Sequence, residues 1–322
     1  MTRIISILAT LAILLSAVNG CQEDKTKAIQ ASKISYDLGV NYLNSSQPRQ
    51  ALESFEKAVR ENPEFPDAHN AVGLMYFSIR DFGKAEEHFL AAIELKPDYS
   101  DAFNNLGRLY LERGQYDKAI EMFRKALSNL LYQTPQFASA NLGWAYYKKG
   151  MMREAFEQLN KAVSMDPKFC LGYRLIGVIR MENGDGLEAK RAFEKFRDTC
   201  PKEADAYYRL AEVKQKLKLA PTDEVLSDLE HSLDLNQNYC PARLMLSGML
   251  SDQGKDGEAL ESIDRYFNAC QEEAGPDAYV LMGTLFRKLG QTVKADAYFE
   301  SCARKWSGKP DGQKCRDLVG KK

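Results

Sequence analysis

From Ser32 onward, apolar and small residues recur at helical spacing, and the whole pattern returns about every 34 residues. The clearest copy is SDAFNNLGRLYLERGQYDKAIEMFRKALSNLLY, Ser100 to Tyr132. Leu106-Gly107 and Tyr110 mark the buried stripe of one helix; Ala119, Phe123 and Ala126 mark that of a second. Small residues at Gly107 and Ala119 predict a close helix crossing there, with Phe123 and Tyr110 filling the volume around it. A hairpin of this kind cannot bury both faces alone, so it must stack on copies of itself.

These spacings resemble the tetratricopeptide repeat, and the rest of the chain supplies the copies. The first unit starts near Ser32, with Leu38-Gly39, Tyr42, Ala51, Phe55, Ala58 and Pro63. The second starts at Pro66, with Gly73, Tyr76, Ala85, Phe89, Ala92 and Pro97. The fourth carries Leu142-Gly143, Tyr146, Ala155, Leu159 and Ala162, and the fifth Ile176-Gly177, Ala189 and Phe193. Three degenerate units follow. Leu210-Ala211 opens the sixth, whose second helix packs through Val225, Leu229 and Ser232; Leu246-Ser247, Ala259 and Ile263 mark the seventh; Met282-Gly283, Ala295 and Phe299 mark the eighth. The fold class expected is all-α, a tetratricopeptide-repeat superhelix (α-solenoid) of about eight hairpins over 32–309, closed by a charged cap at 310–322. By resemblance, the first helices line its concave side.

The N-terminus is a separate object. Arg3, the apolar run Ile4 to Val18, and Val18-Asn19-Gly20-Cys21 resemble a bacterial lipoprotein signal over 1–20, with Cys21 as the acylated residue. An ordinary signal peptide with an incidental cysteine is the alternative. Residues 21–31 read as a polar tether ahead of the fold. Three acyl chains would hold the protein on a membrane far more firmly than a single myristoyl. Gln22 is not the Asp that retains enterobacterial lipoproteins in the inner membrane, so resemblance favours the outer membrane, periplasmic side.

Six cysteines remain. Cys170 and Cys200 stand at the start of the first helix and the end of the second in the fifth repeat; Cys240 and Cys270 do the same in the seventh. In an antiparallel hairpin those two ends meet at one edge, which puts each pair within disulfide reach. Cys302 and Cys315 pair as the remainder. Free thiols or a metal site are the alternatives, but no C-x-x-C occurs, and His69, His88 and His231 have no metal-ligand spacing to the cysteines.

Formal net charge is −1 with both signs interspersed, so no basic block points to nucleic acid. No G-x-S-x-G, phosphate-cradling glycine loop or H-E-x-x-H occurs. Neither an enzyme nor a cofactor is expected. The first-helix positions not needed for packing form the candidate groove: Tyr36, Val40 and Leu43 in the first repeat, Asn70, Leu74 and Phe77 in the second. The third offers Asn104, Arg108 and Leu111; the fourth offers Phe137, Trp144 and Tyr147. An apolar lining with a few amides suits an extended peptide or an amphipathic helix. The alternative is that these side chains pack against the preceding repeat.

Between Ala126 and Gly150 the repeat is stretched by Leu131-Tyr132 and Pro135 ahead of Asn141-Leu142-Gly143, and Asn104-Asn105-Leu106-Gly107 precedes it. With the lipobox, this resembles the type IV pilus biogenesis pilotins of the PilF/PilW/Tgl type. The resemblance implies a lipid-anchored, non-catalytic protein whose groove holds a segment of an outer-membrane secretin subunit and so promotes secretin assembly. Repeat lipoproteins that scaffold peptidoglycan enzymes or a polysaccharide export complex are the rival reading.

Overall fold

The computed structural model describes residues 24–320. It is all-helical in the tetratricopeptide-repeat manner, and the described chain divides into two compact units between Asp166 and Pro167. Unit 1 pairs the helical residues 24–44 (α1) with α2 (Pro48–Glu61), α3 (Pro66–Ser78) with α4 (Phe82–Leu95), α5 (Ser100–Glu112) with α6 (Tyr116–Ser128), and α7 (Pro135–Lys148) with α8 (Met152–Met165). Unit 2 pairs α9 (Cys170–Glu182) with α10 (Gly186–Thr199), α11 (Ala204–Leu217) with α12 (Thr222–Leu235), and α13 (Cys240–Asp252) with α14 (Asp256–Cys270). Its last pair is α15 (Pro276–Lys288) and α16 (Thr292–Lys305), and α17 (Pro310–Arg316) packs back on α16.

Each hairpin reverses through one residue in the left-handed region. Glycine serves at Gly114, Gly150, Gly184, Gly254 and Gly290; Ser46, Arg80 and Lys218 adopt it without that freedom, at φ 57°, 63° and 52°.

At the expected crossing the nearest neighbour of the repeat glycine is the aromatic ring of the second helix. A Cβ on Gly107 would lie 2.6 Å from the Phe123 ring, one on Gly39 2.6 Å from Phe55, and one on Gly73 2.7 Å from Phe89. The glycine therefore makes room for the phenylalanine of the second helix, which lies flat on the first helix's backbone. Ala119 is fully buried at the same helix crossing. In the fourth repeat Leu159 replaces the ring, and there the Ala155 carbonyl also approaches Gly143 to 3.0 Å of such a Cβ. The seventh repeat has serine instead: Ser247 and Ser262 share a 2.9 Å hydroxyl–hydroxyl hydrogen bond. Val225, Leu229 and Ser232 of the irregular sixth repeat are all buried in α12.

Successive repeats are also braced at their edges. The Tyr99 hydroxyl donates to Asp67 (2.5 Å) and the Tyr239 hydroxyl to Asp205 (2.6 Å), each tyrosine reaching back to the aspartate at the start of the preceding first helix. Burial first, and then the facing carboxylate, pushes both phenols far above their ordinary range.

Residues 24–31, the described part of the stretch 21–31 expected to be a tether, are helical and form the start of α1. Lys25 Nζ reaches Glu64 at 3.2 Å and ties this first turn to the α2–α3 turn. Cys21 and the expected signal segment lie outside the described residues.

Cys170–Cys200, Cys240–Cys270 and Cys302–Cys315 are at bonding distance, with Cα–Cα separations of 6.0, 6.0 and 5.9 Å. The third closes α17 onto α16, and both of its sulfurs are buried beside Trp306.

Candidate functional site

In unit 1 the first helices α3, α5 and α7 lie side by side, and their unpaired faces meet through side chains from successive repeats. Asn105 Nδ2 donates to Asn70 Oδ1 at 3.0 Å, and Asn141 Nδ2 donates to Asn104 Oδ1 at 3.0 Å. These are two amide rungs, each joining a first helix to the next. Asn70, Asn104 and Asn105 are each buried, at 8%, 7% and 8% exposure, so the rungs form a floor and not a rim.

Rings and cations stand around that floor. The Arg108 guanidinium sits 5.3 Å from the Phe77 ring centroid, which itself packs 5.9 Å from Phe82. Trp144 and Tyr147 pair at 5.0 Å, with Lys148 Nζ 4.6 Å from the Trp144 ring. Leu43 remains open, at 42% exposure, and Phe137 is exposed at the start of α7. Leu74, Leu111 and Tyr147 are half-buried against the core and show one face outward. Amides that can pair with a peptide backbone, flanked by ring faces and two cations, can hold a polypeptide segment by its main chain and its apolar side chains together.

Tyr36 and Val40 behave differently. Tyr36 is wedged between Phe55 (5.4 Å) and Phe65 (5.3 Å), and both residues pack on the first hairpin's core. Asn105, Asn141 and Lys148 belong to the same surface but were not among the expected lining residues. The doublet Asn104-Asn105 carried the signal, because adjacent amides on a first helix can reach the repeats on both sides.

The corresponding face of unit 2 is ionic. Asp205 accepts from Arg174 Nε (2.5 Å), Arg209 Nε (3.2 Å) and Tyr239, joining α9, α11 and the entry to α13. Among the described residues no group of three or more His, Cys, Asp or Glu is placed to hold a metal ion.

One titratable pair lies inside unit 1. His69 Nδ1 and His88 Nδ1 are 3.1 Å apart, and His69 Nε2 is 3.1 Å from the Pro63 carbonyl. A carbonyl only accepts, so His69 carries its hydrogen on Nε2, and His88 Nδ1 must donate to His69 Nδ1. Protonating both rings would set two N–H groups against each other. Burial, then His69, then Lys84 hold the His88 imidazole below its ordinary value against the opposing pull of Glu87 and Glu56. The folded chain thus resists a proton that the unfolded chain accepts. Stability should be full above about pH 6.5 and fall as pH drops through that value toward the folded pKa. Urea midpoints at pH 7.5 and 5 should differ less for His88→Gln than for the unaltered chain.

Comparisons with known proteins agree with this geometry. Family profiles described as tetratricopeptide repeats match residues 36–100, 88–121, 138–169 and 277–308. No curated protein matches. Among solved structures, PilW, described as a widely conserved type IV pilus biogenesis factor, is 25% identical with a TM-score of 0.58; the match covers 65% of this chain and 95% of that one. The Cut9-Hcn1 hetero-tetramer of the APC/C is 18% identical with a TM-score of 0.57, over 74% of this chain but only 48% of that one. A tetratricopeptide-repeat protein from Parabacteroides merdae is 16% identical with a TM-score of 0.50, over 90% and 98%. The last two speak to the fold alone.

Proposed function

The chain is a tetratricopeptide-repeat scaffold for protein–protein interaction, and we propose that its client is a subunit of a type IV pilus secretin, which it helps to assemble as a lipid-anchored pilotin. The observation that carries this reading is the likeness to PilW along nearly the whole of that protein. The amide floor and flanking rings of unit 1 support it. Asn70, Asn104, Asn105 and Asn141 would meet the main chain of an extended client segment, while Phe77, Trp144 and the open Leu43 take its apolar side chains. Acylation of Cys21 would confine the scaffold to the inner face of the outer membrane. Clients held on a surface meet at a raised effective concentration, which favours ring closure without any chemical step.

The test is co-purification of the lipidated protein with a secretin from outer membranes, alongside Leu43→Glu. Because Leu43 is open to solvent, the variant should keep its melting temperature and lose the heat-stable secretin multimer. Undiminished multimers with Leu43→Glu would remove this face from the account. Recovery of peptidoglycan enzymes or polysaccharide-export components in place of a secretin would move the client to the rival class.

A further inference from the structure

We propose that the loop 129–134 between α6 and α7 is a bilayer contact, its Leu130 and Leu131 entering the lipid surface on which Cys21 would anchor the chain; this rests on the anchor reading above. The corresponding turns of unit 1, 62–65 and 96–99, are shorter, so the stretch in this repeat falls wholly within the loop. What it adds is apolar and open. Leu130 is 96% exposed and Leu131 80%, more than any other large hydrophobic side chain described in unit 1, where Ile79 at 63% comes next.

The exposure is built in. Asn129 Oδ1 accepts from the Leu131 amide (2.9 Å), Asn129 Nδ2 donates to the Asp98 carbonyl (3.0 Å), and the Tyr132 amide donates to the Asn129 carbonyl (3.2 Å). Two of these bonds shape the loop and the third ties it to the α4–α5 turn; Leu130 and Leu131 stand at the mouth of a shallow hollow shared with Ile93, Pro97 and Phe103, and keep most of their surface in solvent. Two leucines held in water are unfavourable unless another apolar phase receives them.

Position says which phase. Helices in a hairpin stack alternate in direction, so the α2–α3, α4–α5 and α6–α7 turns gather at the edge where α1 begins. Contacts follow that edge step by step: Lys25 to Glu64, Tyr99 to Asp67, Asn129 to the Asp98 carbonyl. Cys21 precedes the first described residue by three positions, a reach of about 10 Å at full extension. Acyl chains at Cys21 would therefore bring this edge, and the loop with it, to the membrane. The edge carries Glu64, Asp98, Lys96 and Lys125 in mixed sign, which favours apolar insertion over attraction to anionic headgroups.

The test uses the full chain, produced with its own N-terminal segment and reconstituted into phosphatidylcholine vesicles brominated along the acyl chains. Leu131→Trp should lose most of its added emission to the bromines, while Trp144 and Trp306 of the unaltered chain keep theirs. Adding Leu130→Glu to that variant should restore the emission with no change in melting. An unquenched indole in protein whose mass shows an acylated Cys21 overturns the loop contact and leaves the anchor standing. A Cys21 without acyl chains overturns the anchor and this proposal together. Shielding of the indole only upon addition of a protein partner overturns the lipid assignment in favour of a protein-docking loop.

Discussion

Phe123→Ala should lower the unfolding free energy of unit 1 by about 3–5 kcal/mol, as expected for truncating a buried aromatic ring. The ring has no exposed surface and rests on the bare backbone of Gly107, so nothing nearby can collapse into the space it leaves. Gly107→Ala attacks the same contact from the other side. Its methyl would stand 2.6 Å from the ring, and overpacking of that kind costs about 1–3 kcal/mol. The two changes should not add. With the ring gone the methyl fits, so the double variant should be less destabilised than the sum of the singles. Urea unfolding of the three variants, followed by circular dichroism, measures that coupling. Strict additivity would show that the ring and the glycine do not share a contact.

Reduction should act on one half of the chain. All six paired cysteines lie in unit 2, and the bridges Cys170–Cys200 and Cys240–Cys270 each span 30 residues. In the chain-entropy model a loop of that length contributes roughly 3–4 kcal/mol, so opening both is comparable with the whole stability of many domains. With a thiol reductant present, unit 2 should melt well below its oxidised value while unit 1 keeps its own transition. Hydrogen exchange resolved by peptide reads the two units separately. Equal loss of protection in residues of both units, or none in either, would contradict the division of labour. Cys240→Ser with Cys270→Ser should reproduce part of the effect without reductant.

Much of this architecture is legible in the residues because each repeat states its own packing. Ala119, Phe123 and their counterparts recur at fixed spacing, and a cysteine at each end of a hairpin needs only antiparallel helices to find its partner. What escaped the reading depends on contacts between repeats or on support from elsewhere. The rungs Asn70–Asn105 and Asn104–Asn141 join residues of different repeats, so their pairing depends on how one hairpin is offset on the next. Tyr36, at a groove position by count, is half-buried and has the Phe65 ring of the following turn 5.3 Å away, a neighbour that count does not supply. Residues 24–31 lack an apolar stripe and read as a tether; Lys, Ala and Gln are good helix formers all the same, and Lys25–Glu64 supplies a tertiary hold. That the Phe123 ring is the nearest neighbour of Gly107 is a matter of distance that spacing alone does not decide.

The bridges have a consequence for how the molecule is made. Six thiols permit fifteen pairings, yet among the described residues each cysteine joins its next neighbour along the chain, and no bridge encloses another. A polypeptide threaded through a pore from its N-terminus would present Cys170 and Cys200 first, then Cys240 and Cys270, then the last two. On such a route each couple could oxidise as soon as its second member emerged, so the order of arrival alone would yield this connectivity, with an oxidant and without an isomerase.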